Sequence, residues 1–166
     1  MMRIAVITVS DKGSRGERED KSGPALAELA AELCGGTVVA ARIVPDDRAT
    51  IAATIRELAG CADVVLTTGG TGAAPRDVTP EATRDVIDRE LPGLGEIMRV
   101  RGYETTPRAI LSRGTAGTVG RSLVVNFPGS VRAIRECVPL VAPTFAHIVE
   151  LASGDATDCG AENKLS

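Results

Sequence analysis

The sequence has no tryptophan, one tyrosine and two phenylalanines in 166 residues. So little aromatic surface leaves almost nothing to stack on an isoalloxazine ring, which argues against a flavin-based electron carrier. Histidine is equally scarce: His147 stands alone, in an apolar helical run, and reads as a core or interface residue rather than a catalytic one. The four cysteines, Cys34, Cys61, Cys137 and Cys159, form no C-x-x-C pair and no cluster with histidine. A zinc site or redox dithiol is therefore disfavoured, and the thiols read as those of a reduced, cytoplasmic protein. There is no excess of basic residues. The net charge of -3 argues against a nucleic-acid polymer as partner, although helix N-termini or a metal can still bind small anions. No apolar run approaches the ~18 residues of a membrane span, and no signal-peptide pattern is expected.

What is present is an alternation of β-branched apolar runs with helical patterns. Arg3 to Val9, Thr37 to Val44, Asp63 to Thr67 and Ser122 to Asn126 read as strands. Leu26, Leu29, Ala30 and Leu33 recur at helical spacing before Gly35-Gly36, as do Ile51, Ile55, Leu58 and Ala59 after an Asp46 or Asp47 cap. Thr79 as N-cap, with Pro80 at the first helical position, predicts a helix through Ile87. Residues 91–120 are less regular, and a last helix is expected from about Pro139 to Leu151. The pattern predicts a single α/β domain over residues 1–152, a mostly parallel sheet sandwiched between helices, with a loose polar tail at 153–166. In such sheets ligands bind beyond the carboxyl ends of the strands. Three glycine-bearing loops, at 10–23, 68–77 and 128–130, should converge there.

The sharpest local signal is Gly69-Gly70-Thr71-Gly72. Glycine admits φ > 0 and close approach of backbone to ligand, and successive N–H groups can then cradle a phosphate. The closing Gly-Lys-Ser/Thr of a Walker A loop is missing, so on the glycines alone an ordinary βα turn is an equal alternative. Asp77, Asp46 and Asp47 carry a double reading: a carboxylate at a helix N-terminus, or a metal ligand. Singly, each is more often structural. Gathered at one crevice they favour metal binding, because a nucleoside triphosphate brings magnesium held by one or two carboxylates. Ser10, Asp11 and Ser14 either bind phosphate or fill a turn, and Ser130 reads as an N-cap with a ligand role open. The arginines from Arg99 to Arg121 read as a solvated face from which one or two reach an anion.

Thr67-Thr68-Gly69-Gly70-Thr71-Gly72, followed by Pro75-Arg76-Asp77-Val78-Thr79-Pro80-Glu81-Ala82-Thr83, resembles the signature of the MogA/MoaB family of molybdenum cofactor biosynthesis. The resemblance runs from about Arg3 to Leu151. It includes Val9-Ser10-Asp11, Asp20-Lys21-Ser22-Gly23-Pro24, Val44-Pro45-Asp46, Gly95-Glu96-Ile97-Met98-Arg99, Ala109-Ile110-Leu111-Ser112-Arg113 and Asn126-Phe127-Pro128-Gly129-Ser130. It implies ATP-dependent adenylylation of molybdopterin with release of pyrophosphate, Mg2+ as cofactor, a homotrimer, and a separate molybdate-insertion protein as partner. By motif, Asp46 and Asp77 match the catalytic, metal-holding acidic pair. Ser10, Asp11, Ser14, Thr68, Gly69, Gly70, Thr71, Gly72 and Arg76 match positions expected to bind substrate or nucleotide. Glu96, Ser112, Arg113, Pro128, Gly129 and Ser130 complete that set.

Val131 stands where many members have proline and Phe127 where leucine is usual; neither change removes a charge. The form Arg76-Asp77-Val78-Thr79-Pro80 favours the active transferase branch over a non-catalytic molybdopterin-binding paralogue. A phosphate monoester nucleophile, with a second pKa near ~6, needs no general base at neutral pH. The expected chemistry is positioning and charge neutralisation, with Arg76 or Arg113 serving the leaving pyrophosphate.

Overall fold

The computed structural model describes residues 1–154. β1 (Arg3–Val9) leads through the short α1 (Asp11–Ser14) to α2 (Ser22–Cys34), β2 (Thr37–Val44) to α3 (Arg48–Ala59), and β3 (Val64–Thr68) to α4 (Thr79–Arg84). The two-residue β4 (Arg89–Glu90) precedes α5 (Pro92–Thr105) and a 3-10 turn, Pro107–Leu111. β5 (Ala116–Val119), β6 (Ser122–Phe127), α6 (Val131–Val141), a second 3-10 turn (Ala142–Thr144) and α7 (Phe145–Ser153) complete the domain.

The strands form one sheet in the order β2-β1-β3-β6-β5-β4. The first four are mutually parallel, β5 runs antiparallel to β6, and β4 antiparallel to β5. From β1 the chain steps outward to β2, then returns to β3 on the other side of β1. This reversal opens a crevice at the carboxyl ends of β1 and β3.

Alternation along the strands divides the core in two. Ile4 and Val6 of β1, Val64 and Leu66 of β3, and Leu123, Val125 and Phe127 of β6 pack with Leu26, Ala30, Met98, Ile134, Val138 and Phe145. Ala5, Ile7 and Val9, Val65 and Val124 face the other way, onto Ile51, Ile55 and Leu58 of α3 and Ala82 of α4. Helices thus cover both faces, which is why β1 and β3 read as continuous apolar runs. Phe127 is fully buried in the first cluster, so the aromatic ring at this position fills core.

Several expectations need correction. Thr79 does not cap α4. Val78 holds that place without a side-chain bond, and Thr79 is the first helical residue, its hydroxyl used elsewhere. α4 ends at Arg84, short of Ile87. The irregular stretch after Leu91 contains a 14-residue helix, α5. Pro139 does not begin the last helix but lies inside α6. The break comes at the Ala142–Thr144 turn, with Pro143 in its first turn, where a missing N–H costs nothing. His147 is not a core residue: its side chain is 62% exposed, 3.8 Å from Glu150. α7 ends at Ser153; residues 155–166 of the expected tail, with Cys159, lie outside the described residues.

Candidate active site

The three predicted loops do converge. Gly69 and Gly70 adopt φ of +96° and +64°, backbone states that suit glycine. The packing is as restrictive as the dihedrals. A Cβ at Gly69 would lie 2.4 Å from the Val9 carbonyl, one at Gly70 2.4 Å from Thr79 Oγ1, and one at Gly129 3.3 Å from Gly69 Cα. Loops 68–72 and 128–130 therefore touch backbone to backbone. Thr68 Oγ1 donates to the Pro128 carbonyl (2.9 Å), and the Gly69 amide to the Phe127 carbonyl (3.2 Å).

Every carbonyl of the glycine loop accepts a hydrogen bond from the protein. Thr79 donates through Oγ1 to Gly69 (2.9 Å) and through its amide to Gly70 (3.1 Å). Arg113 donates through its amide to Thr71 (2.8 Å) and through Nε to Gly72 (2.9 Å). The amides of Gly70, Thr71 and Gly72 donate to no other group among the described residues. Three unpaired N–H donors on a close-packed turn suit an anion.

The acidic pair borders the same loop. A Cβ at Gly70 would meet Asp46 Oδ1 at 3.2 Å, and one at Gly72 would meet Asp77 Oδ2 at 2.8 Å. Asp47 N-caps α3 by accepting the Thr50 amide at 2.8 Å, which resolves the capping ambiguity and leaves Asp46 to the site. Asp46 Oδ2 accepts the Asp11 amide (2.9 Å), and the Asp46 amide donates to Asp11 Oδ1 (3.0 Å). Arg76 donates from Nε (2.9 Å) and Nη2 (2.6 Å) to Asp11 Oδ2. Partial burial, with the nearby charges of Asp11 and Asp77, pushes the Asp46 carboxyl above its ordinary range, against the lowering effect of the Asp11 amide. The Arg76 guanidinium and the Asp46 amide hold Asp11 below that range. Asp77 Oδ2 also accepts the Ala74 amide at 3.0 Å.

Among the described residues no three His, Cys, Asp or Glu side chains form a metal-holding group. Two carboxylates at a crevice do fit a hard cation that takes its remaining ligands from water and from substrate oxygens.

A cavity of about 690 Å³ opens beside the glycine loop, lined by Ser10, Gly69, Gly129 and Ser130 together with Arg18, Asp20, Lys21 and Ser22. The last four were not among the candidate ligands. Asp20 anchors this wall, accepting from Thr8 Oγ1 (2.6 Å) and the Gly23 amide (2.9 Å). The signal available for it was the Asp20-Lys21-Ser22-Gly23 motif, where a Cβ on Gly23 would strike Asp20 Oδ2 at 2.3 Å. A second cavity, about 380 Å³, is lined by Arg84, Arg99, Ser112 and Arg113. A third depression, about 790 Å³, is lined by Arg3, Asp63, Arg121 and Ser122 at the opposite ends of the strands and contains none of the motif-matched site residues.

The remaining candidates divide. Ser130 is the N-cap of α6, accepting the Ala133 amide at 3.2 Å, and lines the first cavity as well. Ser14 is exposed and closes the α1 turn by donating to the Asp11 carbonyl. Glu96 is exposed on α5 and lines neither cavity. Arg113 pairs with Glu81 and also donates to the Asp77 carbonyl at 2.7 Å. With its Nε on Gly72 it braces the loop from behind.

The model of the family described as "Probable molybdopterin binding domain" matches residues 5–147. The chain is 40% identical to a molybdopterin adenylyltransferase of Helicobacter pylori, over 98% of this chain and 94% of that protein. It is 42% identical to the molybdopterin adenylyltransferase of Pyrococcus furiosus, over 90% of each. The crystal structure of the molybdopterin biosynthesis enzyme MoaB from Thermus thermophilus superposes with a TM-score of 0.85 at 47% identity, covering 93% of this chain and 98% of that one.

Proposed function

Because the chain belongs to the family of molybdopterin binding domains, we propose that it is a molybdopterin adenylyltransferase that uses ATP. The observation that carries this reading is the meeting of the Asp46 and Asp77 carboxylates with the glycine loop and its three unpaired amides, at the point where the sheet order reverses.

In the reaction a terminal phosphate oxygen of molybdopterin attacks the α-phosphorus of ATP. The bond from that phosphorus to the β-bridging oxygen breaks, and pyrophosphate leaves. Magnesium, when bound, supplies charge neutralisation and orients the α-phosphate. Asp46 and Asp77 are the residues that hold it. The amides of Gly70, Thr71 and Gly72 donate to phosphate oxygens as charge builds on them. Ser10, Gly129 and Ser130 line the adjoining cavity for substrate. Arg76, exposed at the rim, is available to the departing pyrophosphate. No side chain abstracts a proton, because the attacking dianion is already formed at neutral pH.

The active species is a homotrimer. Ile97, Val100 and Tyr103 on α5, with Ile110 and Leu111 on the following turn, are exposed apolar side chains, of the kind that gathers at a protein interface. The enzyme acts in the cytoplasm, and a molybdate-insertion protein takes its product.

Single-turnover pyrophosphate release from ATP and molybdopterin tests the reading. Asp77→Ala should lower the rate roughly 10²–10³-fold, as loss of one strong electrostatic group does, while molybdopterin still binds and the fold persists. A wild-type protein that binds molybdopterin and releases no pyrophosphate would be a binding-only paralogue.

A further inference from the structure

The clasp between Asp11 and Asp46 assigns a role that motif matching alone does not. The two residues follow different strands, β1 and β2, and each backbone amide donates to the other's carboxylate, at 2.9 and 3.0 Å. This leaves Asp46 with one committed oxygen, Oδ2, and one, Oδ1, lying over the Cα of Gly70. Asp11 is committed on both sides: Oδ1 to the Asp46 amide, and Oδ2 to Arg76 Nε and Nη2 at 2.9 and 2.6 Å. A carboxylate already accepting three N–H donors, beside a crevice built for phosphate, has neither the free donor nor the charge to bind an anionic substrate.

We propose that Asp11 is a positioning residue: its side chain fixes the backbone of Asp46 and the place of Arg76, and through them the Asp46 carboxylate, without touching substrate. The proposal rests on the adenylyltransferase reading above. Asp46 sits on a loop, where one rotamer change would carry Oδ1 away from the glycine loop. The reciprocal bonds remove that freedom by tying the β1 and β2 loops together, and Arg76 ties both to the loop that carries Asp77. One bidentate clasp thereby sets the separation of the two catalytic carboxylates.

The test is a double-mutant cycle on the full-length protein with Asp11→Ala, Asp46→Ala, the double variant and Asp11→Asn, each checked by thermal melting. Asp11→Ala should lower kcat roughly 10-fold, the order expected for groups in direct contact, with KM for ATP and molybdopterin within about twofold. Asp11→Asn should recover most of that kcat, because its amide oxygen still accepts the Asp46 amide. In the Asp46→Ala background the Asp11→Ala change should cost much less than 10-fold, since only its hold on Arg76 is left to lose. A second readout is Mn2+ binding, followed by electron paramagnetic resonance with an ATP analogue whose α,β-bridge is methylene. Asp11→Ala should weaken it, and the double variant should be no weaker than Asp46→Ala. Multiplicative losses in kcat, a raised KM at unchanged kcat, or an Asp11→Asn variant that folds but performs like Asp11→Ala would overturn the assignment. An inactive wild type would sink the adenylyl-transfer reading instead, and the Mn2+ measurements would still decide the role of Asp11.

Discussion

Gly70→Ala should be much more damaging than Gly16→Ala, although both residues have positive φ. Gly16 sits at +72° with nothing within 4 Å of an added Cβ, so its substitution reports the backbone penalty alone, about 1–2 kcal/mol for an L-residue in the left-handed region. Gly70 sits at +64°, and its Cβ would lie 2.4 Å from Thr79 Oγ1, 3.2 Å from Asp46 Oδ1 and 3.3 Å from Val9 Cγ1. Thr79 is fully buried and β-branched, so its hydroxyl has little room to rotate. Displacing it breaks the bond to the Gly69 carbonyl and leaves buried polar groups unmatched, which adds about 1–3 kcal/mol. For a chain of this size each kcal/mol shifts the melting temperature by roughly 2–4 °C. Gly70→Ala should therefore melt lower than Gly16→Ala by on the order of 5 °C. Urea unfolding with unchanged m-values would show that the difference is one of native-state stability. Turnover should fall in Gly70→Ala even well below its melting temperature, because the new methyl also presses on Asp46. Equal melting of the two variants would refute the reasoning, since it would mean that Thr79 yields freely and the close approach constrains nothing.

Two further outcomes are expected. The Arg3 side chain and amide hold the Asp63 carboxyl below its ordinary range, tying the start of β1 to that of β3. The folded pKa lies below the unfolded one, so this stabilisation is present above the ordinary aspartate pKa of about 3.9 and is lost as pH falls through the lower folded value. Asp63→Asn should flatten the acid limb of melting temperature against pH; an unchanged limb would show that the pair contributes nothing. Val100, 61% exposed on α5, should be covered in the trimer, so Val100→Asp should give monomers in sedimentation equilibrium. A wild type that is monomeric at micromolar concentration would exclude the trimer.

The central strands β1, β3 and β6 were legible because they are covered on both faces, so their runs are mostly apolar and most of their polar residues, Thr8, Thr67, Thr68, Ser122 and Asn126, are buried. Helix α2 was legible for a different reason: Gly35 terminates it at φ +58°, a stop that glycine announces. α5 was not legible because its pattern is inverted. Its inward positions include Gly95 and Gly102, where a Cβ would lie 2.6 Å from the Gly114 carbonyl and 2.8 Å from the Ala109 methyl, while Ile97, Val100 and Tyr103 face outward. Glycine is a poor helix former, and an apolar outer face defeats a reading that looks for one buried stripe. At the candidate site, motif singles out Asp46 and Asp77, but their surroundings depend on contacts between distant segments. Arg113 reaches back to Gly72 and Glu81, and no local spacing indicates that it braces a loop. Thr79 was misjudged for the same reason, since its partner is the Gly69 carbonyl and not an amide of its own helix.

Because a peptide unit is planar, holding its oxygen also aims its hydrogen. The amides of Gly70, Thr71 and Gly72 share their planes with the carbonyls of Gly69, Gly70 and Thr71, which Thr79 and Arg113 grip from behind. The donors are thus oriented before any phosphate arrives, and binding need not freeze a floppy turn. Dipoles that do not reorient are worth more to a developing charge than dipoles that must. If the loop binds phosphate as proposed, Thr79 and Arg113 govern the reaction's electrostatics from the far side of the backbone, through the direction in which three N–H bonds point.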